Sequence, residues 1–176
     1  MKKVLFHQCC APCFSGVLTM VQGQCEFNGY WFNPNIYPSQ EYQSRKGALK
    51  AFSKAQNFSV IYEKEQSYEN WKSFVLGCEN RCFACYKFRL NKTAQKARQL
   101  GFDYFSTTLL VSPYQKHDLI IEAANCAAIE NGVEFYYKDF RSAFYEGKKY
   151  ALSLGLYIQK YCGCEFSYVE RFGSAK

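Results

Sequence analysis

Apolar positions along this chain follow two patterns that take turns. Short runs such as Val4-Leu5-Phe6 are bounded by polar residues, and longer stretches between them repeat apolar residues every three or four positions. The short runs predict strands over Lys3–His7, Phe27–Asn33, Phe58–Glu63, Asp103–Leu110 and Val133–Tyr137. The longer stretches predict helices over Phe14–Gln22, from Ser39 to Gln56, and over Tyr68–Leu76, Arg81–Leu100 and Gln115–Asn131. Ser142–Leu154 and the tail read as helical or irregular. The punctuation agrees: Asn33-Pro34-Asn35 is a turn, Ser39 suits an N-cap, Ser112-Pro113 is a break, and Gly101 and Gly132 stand where helices end.

Strands and helices alternating in this way predict an α/β fold, a mostly parallel sheet flanked by helices on both faces. A length of 176 residues suits one domain. Ligands in such folds bind beyond the carboxyl ends of the strands. The loop Cys9–Cys13 directly follows the first strand, so a metal site is expected at that carboxyl edge. No apolar run is long enough to cross a membrane. Met1–Gln8 turns polar too soon for a secretory leader. Both features point to the cytoplasm, where disulfides are seldom structural.

Composition sharpens this picture. With 48% hydrophobic and 21% charged residues the chain can bury a core and is not generally disordered. Its net charge of +7 fits either a lysine-rich surface or a partner bearing phosphates, such as RNA, and charge alone does not separate them. The ten cysteines do separate readings, because seven of them cluster: Cys9-Cys10-Ala11-Pro12-Cys13, Cys82-Phe83-Ala84-Cys85 and Cys162-Gly163-Cys164. A helix N-terminus favours thiolate in the first group, and Pro12 suits the first turn of that helix. Residues three apart on a helix share a face, so Cys82 and Cys85 can serve one centre. Four thiolates from two pairs fit an all-cysteine zinc site or a 4Fe–4S cluster, and spacing does not choose between them. The Cys162/Cys164 pair can bind metal or cycle between dithiol and a labile disulfide. Cys25, Cys78 and Cys126 stand apart and read as packing residues, with Cys78 a spare ligand at most.

Several polar residues sit near the same edge. His7 is either a neighbour of the metal ligands or a satisfied core histidine. His117 is either an acid or a surface residue, and Asp139 either joins a metal site or is a solvated carboxylate. Arg81, Lys87 and Arg89 flank the CxxC pair and either meet phosphate or solvate the helix. Neither GxGxxG nor GxxxxGK[ST] is present. Cysteines occupy the place after strand one where ATP pyrophosphatases carry a phosphate loop.

Five ordered motifs together resemble the QueH family of epoxyqueuosine reductases. They are His7-x-Cys9-Cys10-Ala11-Pro12-Cys13, Tyr30-x-Phe32-Asn33-Pro34-Asn35-Ile36, Arg81-Cys82-x-x-Cys85-Tyr86-x-x-Arg89-Leu90, Phe105-Ser106-Thr107-Thr108-Leu109-Leu110-x-Ser112-Pro113-Tyr114-Gln115 and Tyr161-Cys162-Gly163-Cys164-x-Phe166-Ser167. The resemblance implies a HUP-like parallel α/β sheet. It implies reduction of epoxyqueuosine to queuosine at the wobble position of tRNA, the last step of queuosine synthesis, without cobalamin. It also implies a 4Fe–4S cluster with an additional iron ion beside it. By position, Cys9, Cys10, Cys82 and Cys85 would hold the cluster, Cys162 and Cys164 would be the redox-active pair, and Cys13 and Asp139 would serve the second metal. His117 or Tyr114 would supply a proton, and the electron donor is unidentified. Tyr30, Trp31, Tyr37 and Tyr114 are candidates to stack on exposed anticodon bases, against core packing, the commoner fate of aromatic residues. Two rival readings are a zinc-binding RNA-interaction module without chemistry and a thiol–disulfide oxidoreductase using Cys9, Cys10 and Cys13.

Overall fold

The apolar run at the start of the chain forms β1 (Lys3–His7) in the computed structural model, which describes residues 1–174. Val4, Leu5 and Phe6 are all fully buried, as expected of a strand covered on both faces. Four further strands join it: β2 (Glu26–Trp31), β3 (Val60–Tyr62), β4 (Tyr104–Thr107) and β5 (Glu134–Phe135). All pairings are parallel and the spatial order is β3-β2-β1-β4-β5. The helices are α1 (Ala11–Val21), α2 (Ser39–Ala55), α3 (Tyr68–Leu76), α4 (Arg81–Gln99), α5 (His117–Asn131), α6 (Phe144–Ser153) and α7 (Glu165–Phe172). Right-handed crossovers place α1 and α2 on one face and α4 and α5 on the other. α1 packs on α2 and α6, while α4 packs on α3 and α5 and lies over β1 and β4.

The α/β expectation holds, with local differences that have physical causes. Helix α1 begins at Ala11, with Cys10 at its cap position, so Cys13 sits on the first turn rather than in a loop. Pro38 caps α2, and Ser39 is its first helical residue. β4 ends at Thr107, short of the expected Leu110. There the Thr107 hydroxyl accepts the Leu109 N–H at 3.1 Å and turns the chain into a 3-10 segment over Thr108–Val111.

The packing of α6 on α1 depends on two glycines. A Cβ at Gly147 would lie 2.5 Å from the Gly16 nitrogen, so the two backbones touch directly. The chain winds outward from β1 in one direction, through β2 to β3, and from β4 to β5 in the other. The strand order therefore reverses between β1 and β4, and a crevice opens at their carboxyl ends.

Candidate metal centre

That crevice holds the first cysteine group. Cys9, Cys10 and Cys13 are buried, and their sulfurs all lie within 4.8 Å of one another. Among the described residues this is the one group of three or more metal-binding side chains so closely spaced. Cys9 Sγ is 3.9 Å from Cys10 Sγ. Two thiolates on one tetrahedral ion, with metal–sulfur bonds of about 2.3 Å, stand about 3.8 Å apart, so this spacing suits metal. The Cys9 backbone N–H donates to the Thr108 hydroxyl at 3.3 Å, which ties the ends of β1 and β4 together at the cluster.

Beside the triad the chain builds a cavity of about 680 Å³, lined in part by Cys9, Cys13, Cys162, Gln159 and Gln115. Gln159 Nε2 donates to Cys10 Sγ at 2.9 Å and reaches Cys13 Sγ at 3.5 Å. Gln115 Nε2 donates to Cys162 Sγ at 3.4 Å. The segment carrying Cys162 is held from α2. Arg45, buried and paired with Glu41 at 2.6 Å, donates to the carbonyls of Cys162 at 3.1 Å and Tyr161 at 2.9 Å. Gly163 adopts φ +124 there, with the Arg45 guanidinium where a Cβ would stand.

Protonation differs among the thiols. Hydrogen bonds from the Cys10 and Cys13 thiols, resisted by burial, hold Cys9 well below the ordinary thiol value. Burial pushes Cys10 up, and Cys13 is raised by its bonds to the other two sulfurs. Cys9 is therefore the sulfur of the triad that most readily ionises, and Cys10 and Cys13 must each give up any proton they hold to bind a metal. Cys162 is lowered to about 6 by the neighbouring Cys164 thiol, with a smaller effect from the Gln115 amide, and the same Cys162 sulfur raises Cys164. Such a split suits one attacking and one resolving thiol.

His7 is a fully buried and satisfied histidine. Its Nε2 donates to the Phe32 carbonyl at 3.1 Å, so Nδ1 accepts from the Thr107 hydroxyl at 3.0 Å. Burial and the neighbouring Arg89 lower it to about 4, which keeps it neutral.

The CxxC pair lies on the first turns of α4, capped by the Asn80 side chain, with Cys85 buried and Cys82 exposed. Neither sulfur falls inside the close group of Cys9, Cys10 and Cys13. The three cysteine segments do meet electrostatically around Arg89, a fully buried guanidinium that senses Cys85, Cys162 and Cys9. Asp139 is committed to Arg141, which donates to it from Nη2 at 2.6 Å and holds its carboxyl at about 2. Neither Asp139 nor His117 lines the cavity, and His117 Nε2 stands 3.2 Å from the Tyr137 hydroxyl. Tyr114 lines the cavity mouth. Tyr30 and Trp31 are fully buried in β2, an inner strand of the sheet, so for these two core packing holds and base stacking does not. Cys25 is buried as expected, and Cys126 is only half-buried.

Arg45, Gln159 and the sulfur-binding role of Gln115 were not legible in the sequence. The Glu41/Arg45 spacing of four hinted at an ion pair, but nothing in it signalled burial against a segment more than a hundred residues away. A cluster with four thiolate ligands carries net negative charge and needs cations and donors nearby. Arg89 Nη2 and Gln159 Oε1 are buried without a hydrogen-bond partner among the described residues. Together with an all-sulfur donor set and two buried arginines, these groups fit an anionic metal–thiolate centre.

Comparison with known proteins places this arrangement. The family model described as epoxyqueuosine reductase QueH matches residues 4–170. A protein of Dehalococcoides mccartyi named epoxyqueuosine reductase QueH is 39% identical over 173 residues, covering 97% of this chain and 95% of its own. The protein of that name from Thermotoga maritima is 36% identical over 97% of this chain and 93% of its own. The Streptococcus pyogenes protein is 32% identical over 93% of this chain and 69% of its own.

Proposed function

The chain belongs to the epoxyqueuosine reductase QueH family, and on that premise we propose that it reduces epoxyqueuosine in tRNA to queuosine at the cavity beside Cys9, Cys13 and Cys162. It is an oxidoreductase. The observation that carries the reading is that Cys9 and Cys13 of the buried triad and Cys162 of the second thiol pair line one cavity at the sheet's switch point.

Deoxygenating an epoxide to an alkene consumes two electrons and two protons and releases the oxygen as water. A 4Fe–4S cluster with an iron ion beside it would supply single electrons and a Lewis acid for the departing oxygen. Cys9, Cys10, Cys82 and Cys85 are the proposed cluster ligands. Cys13, within 4.8 Å of Cys9 and Cys10, is the proposed thiolate for the adjacent iron. Asp139 enters this ligand set only by leaving Arg141. Arg45 and Arg89 balance the charge of the thiolates. Gln159 orients two of the sulfurs through its amide. The Cys162/Cys164 dithiol can give up two electrons and two protons on closing to a disulfide, which balances one epoxide reduction. Gln115 holds the Cys162 sulfur at the cavity wall for that exchange.

Anaerobic reconstitution with iron and sulfide, followed by assay on tRNA carrying epoxyqueuosine, tests the reading. The expected product is queuosine from a brown protein. Cys82→Ser should lose both visible absorbance and turnover; an active, colourless variant would sink the cluster assignment. A colourless protein with stoichiometric zinc and no turnover would favour an RNA-binding zinc module instead.

A further inference from the structure

The mouth of the cavity differs from the rest of the surface. Tyr114 is 78% exposed and Tyr145 67% exposed. Both pack edge-on against Phe144, with ring centroids 5.7 Å and 5.2 Å away. This makes a solvent-facing aromatic shelf, with Tyr114 and Phe144 in the cavity wall. Three exposed cations also line that cavity: Lys148 from α6, Lys160 from the loop before Cys162, and Arg171 from α7. None of the three makes an ion pair among the described residues, unlike Lys72, Lys87 and Lys96. Among the described residues no Asp or Glu lines the cavity.

Cations that merely solvate a helix come from one element and alternate with carboxylates. Here they come from three elements, surround an opening, and have no acidic neighbour in its wall. An unpaired polyanion satisfies such a ring, and exposed tyrosines beside it suit the faces of unstacked bases. We propose that this rim docks the single-stranded anticodon loop of the tRNA. In this arrangement Tyr114 and Tyr145 stack an unpaired base, Lys148, Lys160 and Arg171 meet backbone phosphates, and the modified base is splayed into the cavity. The inference rests on the reductase reading and names the surface through which that reaction reaches its substrate. It gives Tyr114 a docking role rather than proton donation.

The test is binding of tRNA carrying epoxyqueuosine to the reconstituted full chain across a salt series, with turnover, iron content and visible absorbance measured alongside. K148Q/R171Q should weaken binding at least tenfold. It should also lower the slope of log affinity against log salt by about 1.4, as for two lost single-strand phosphate contacts. Y114A should weaken binding by about tenfold with the salt slope unchanged, and Y114F should retain affinity. K54Q, in the last turn of α2 and so at the opposite edge of the sheet, should change neither quantity. Iron content and absorbance should match wild type in every variant. If wild type binds and reduces the tRNA while K148Q/R171Q and Y114A behave like it, the docking surface is wrong and the reductase reading stands. If those variants keep tRNA affinity but lose only reduction by a protein electron donor, the rim belongs to the donor and the proposal is overturned. If wild type itself neither binds nor reduces the tRNA, the reductase reading falls and the surface with it.

Discussion

Replacing Arg45 with Met should both destabilise the protein and loosen the segment that carries Cys162. Arg45 is 2% exposed, and its head group pairs with Glu41 and binds two carbonyls of the 161–162 segment. Methionine fills a similar volume but leaves the buried Glu41 carboxylate without its cation, with the Tyr157 hydroxyl still donating to it. Removing one partner of a buried ion pair costs about 3–5 kcal/mol, chiefly through the charge left uncompensated. In a chain of this length each kcal/mol moves the melting temperature by about 2–4 °C, so a fall of about 6–20 °C is expected. Thermal unfolding of the reduced, metal-free protein by circular dichroism reads that shift. E41Q/R45M removes the stranded charge as well and should recover at least about 2 kcal/mol relative to R45M. Cys162 should react faster with a thiol reagent in both variants, because its carbonyl anchor is gone. An R45M protein within about 1 kcal/mol of wild type, or a double variant no more stable than R45M, would refute the clamp.

Three other outcomes follow from the same geometry. G147A places a methyl group 2.5 Å from the backbone of Gly16, so α6 must shift off α1; a loss of about 1–3 kcal/mol in urea unfolding is expected, against a small gain for G47A in the open middle of α2. Metal uptake by the apoprotein should strengthen about 100-fold per pH unit near neutrality if the raised Cys10 and Cys13 thiols each surrender a proton, and pH-independent uptake would exclude their ligation. Burial pushes the Glu63 carboxyl up, but hydrogen bonds from Lys96 and Tyr30 outweigh it and hold it at about 2, below its ordinary 4.5. Its stabilisation is therefore complete above about pH 4.5 and lost as pH falls through about 2, and E63Q should flatten melting temperature against pH across that window.

Much of the fold was legible because its signals are local. Val4-Leu5-Phe6 reads as a doubly covered strand from its unbroken apolar run, and Gly132 ends α5 in the left-handed region as its position suggests. Errors fell where a side chain redirected the backbone. The Thr107 hydroxyl ended β4 early, and no periodicity marks such a cap. The aromatic residues stayed open between core packing and base stacking for a related reason. Tyr30 and Tyr114 have the same chemistry, and only their place in the sheet or at the cavity mouth separates core from surface.

The sequence by itself determined the element order, the parallel α/β class, the cysteine pairs and, through its ordered motifs, the family. Those properties are written in spacing and residue type along the chain. Tertiary structure alone decided which groups share a site. It gathered Cys13 with Cys9 and Cys10, since α1 starts at Ala11 and turns all three sulfurs inward. It brought Arg45, Gln159 and Arg89 to those sulfurs from distant elements, and it tied Asp139 to Arg141. Contacts of that kind arise from the winding of the sheet about the β1/β4 crevice, and a one-dimensional pattern carries no record of them.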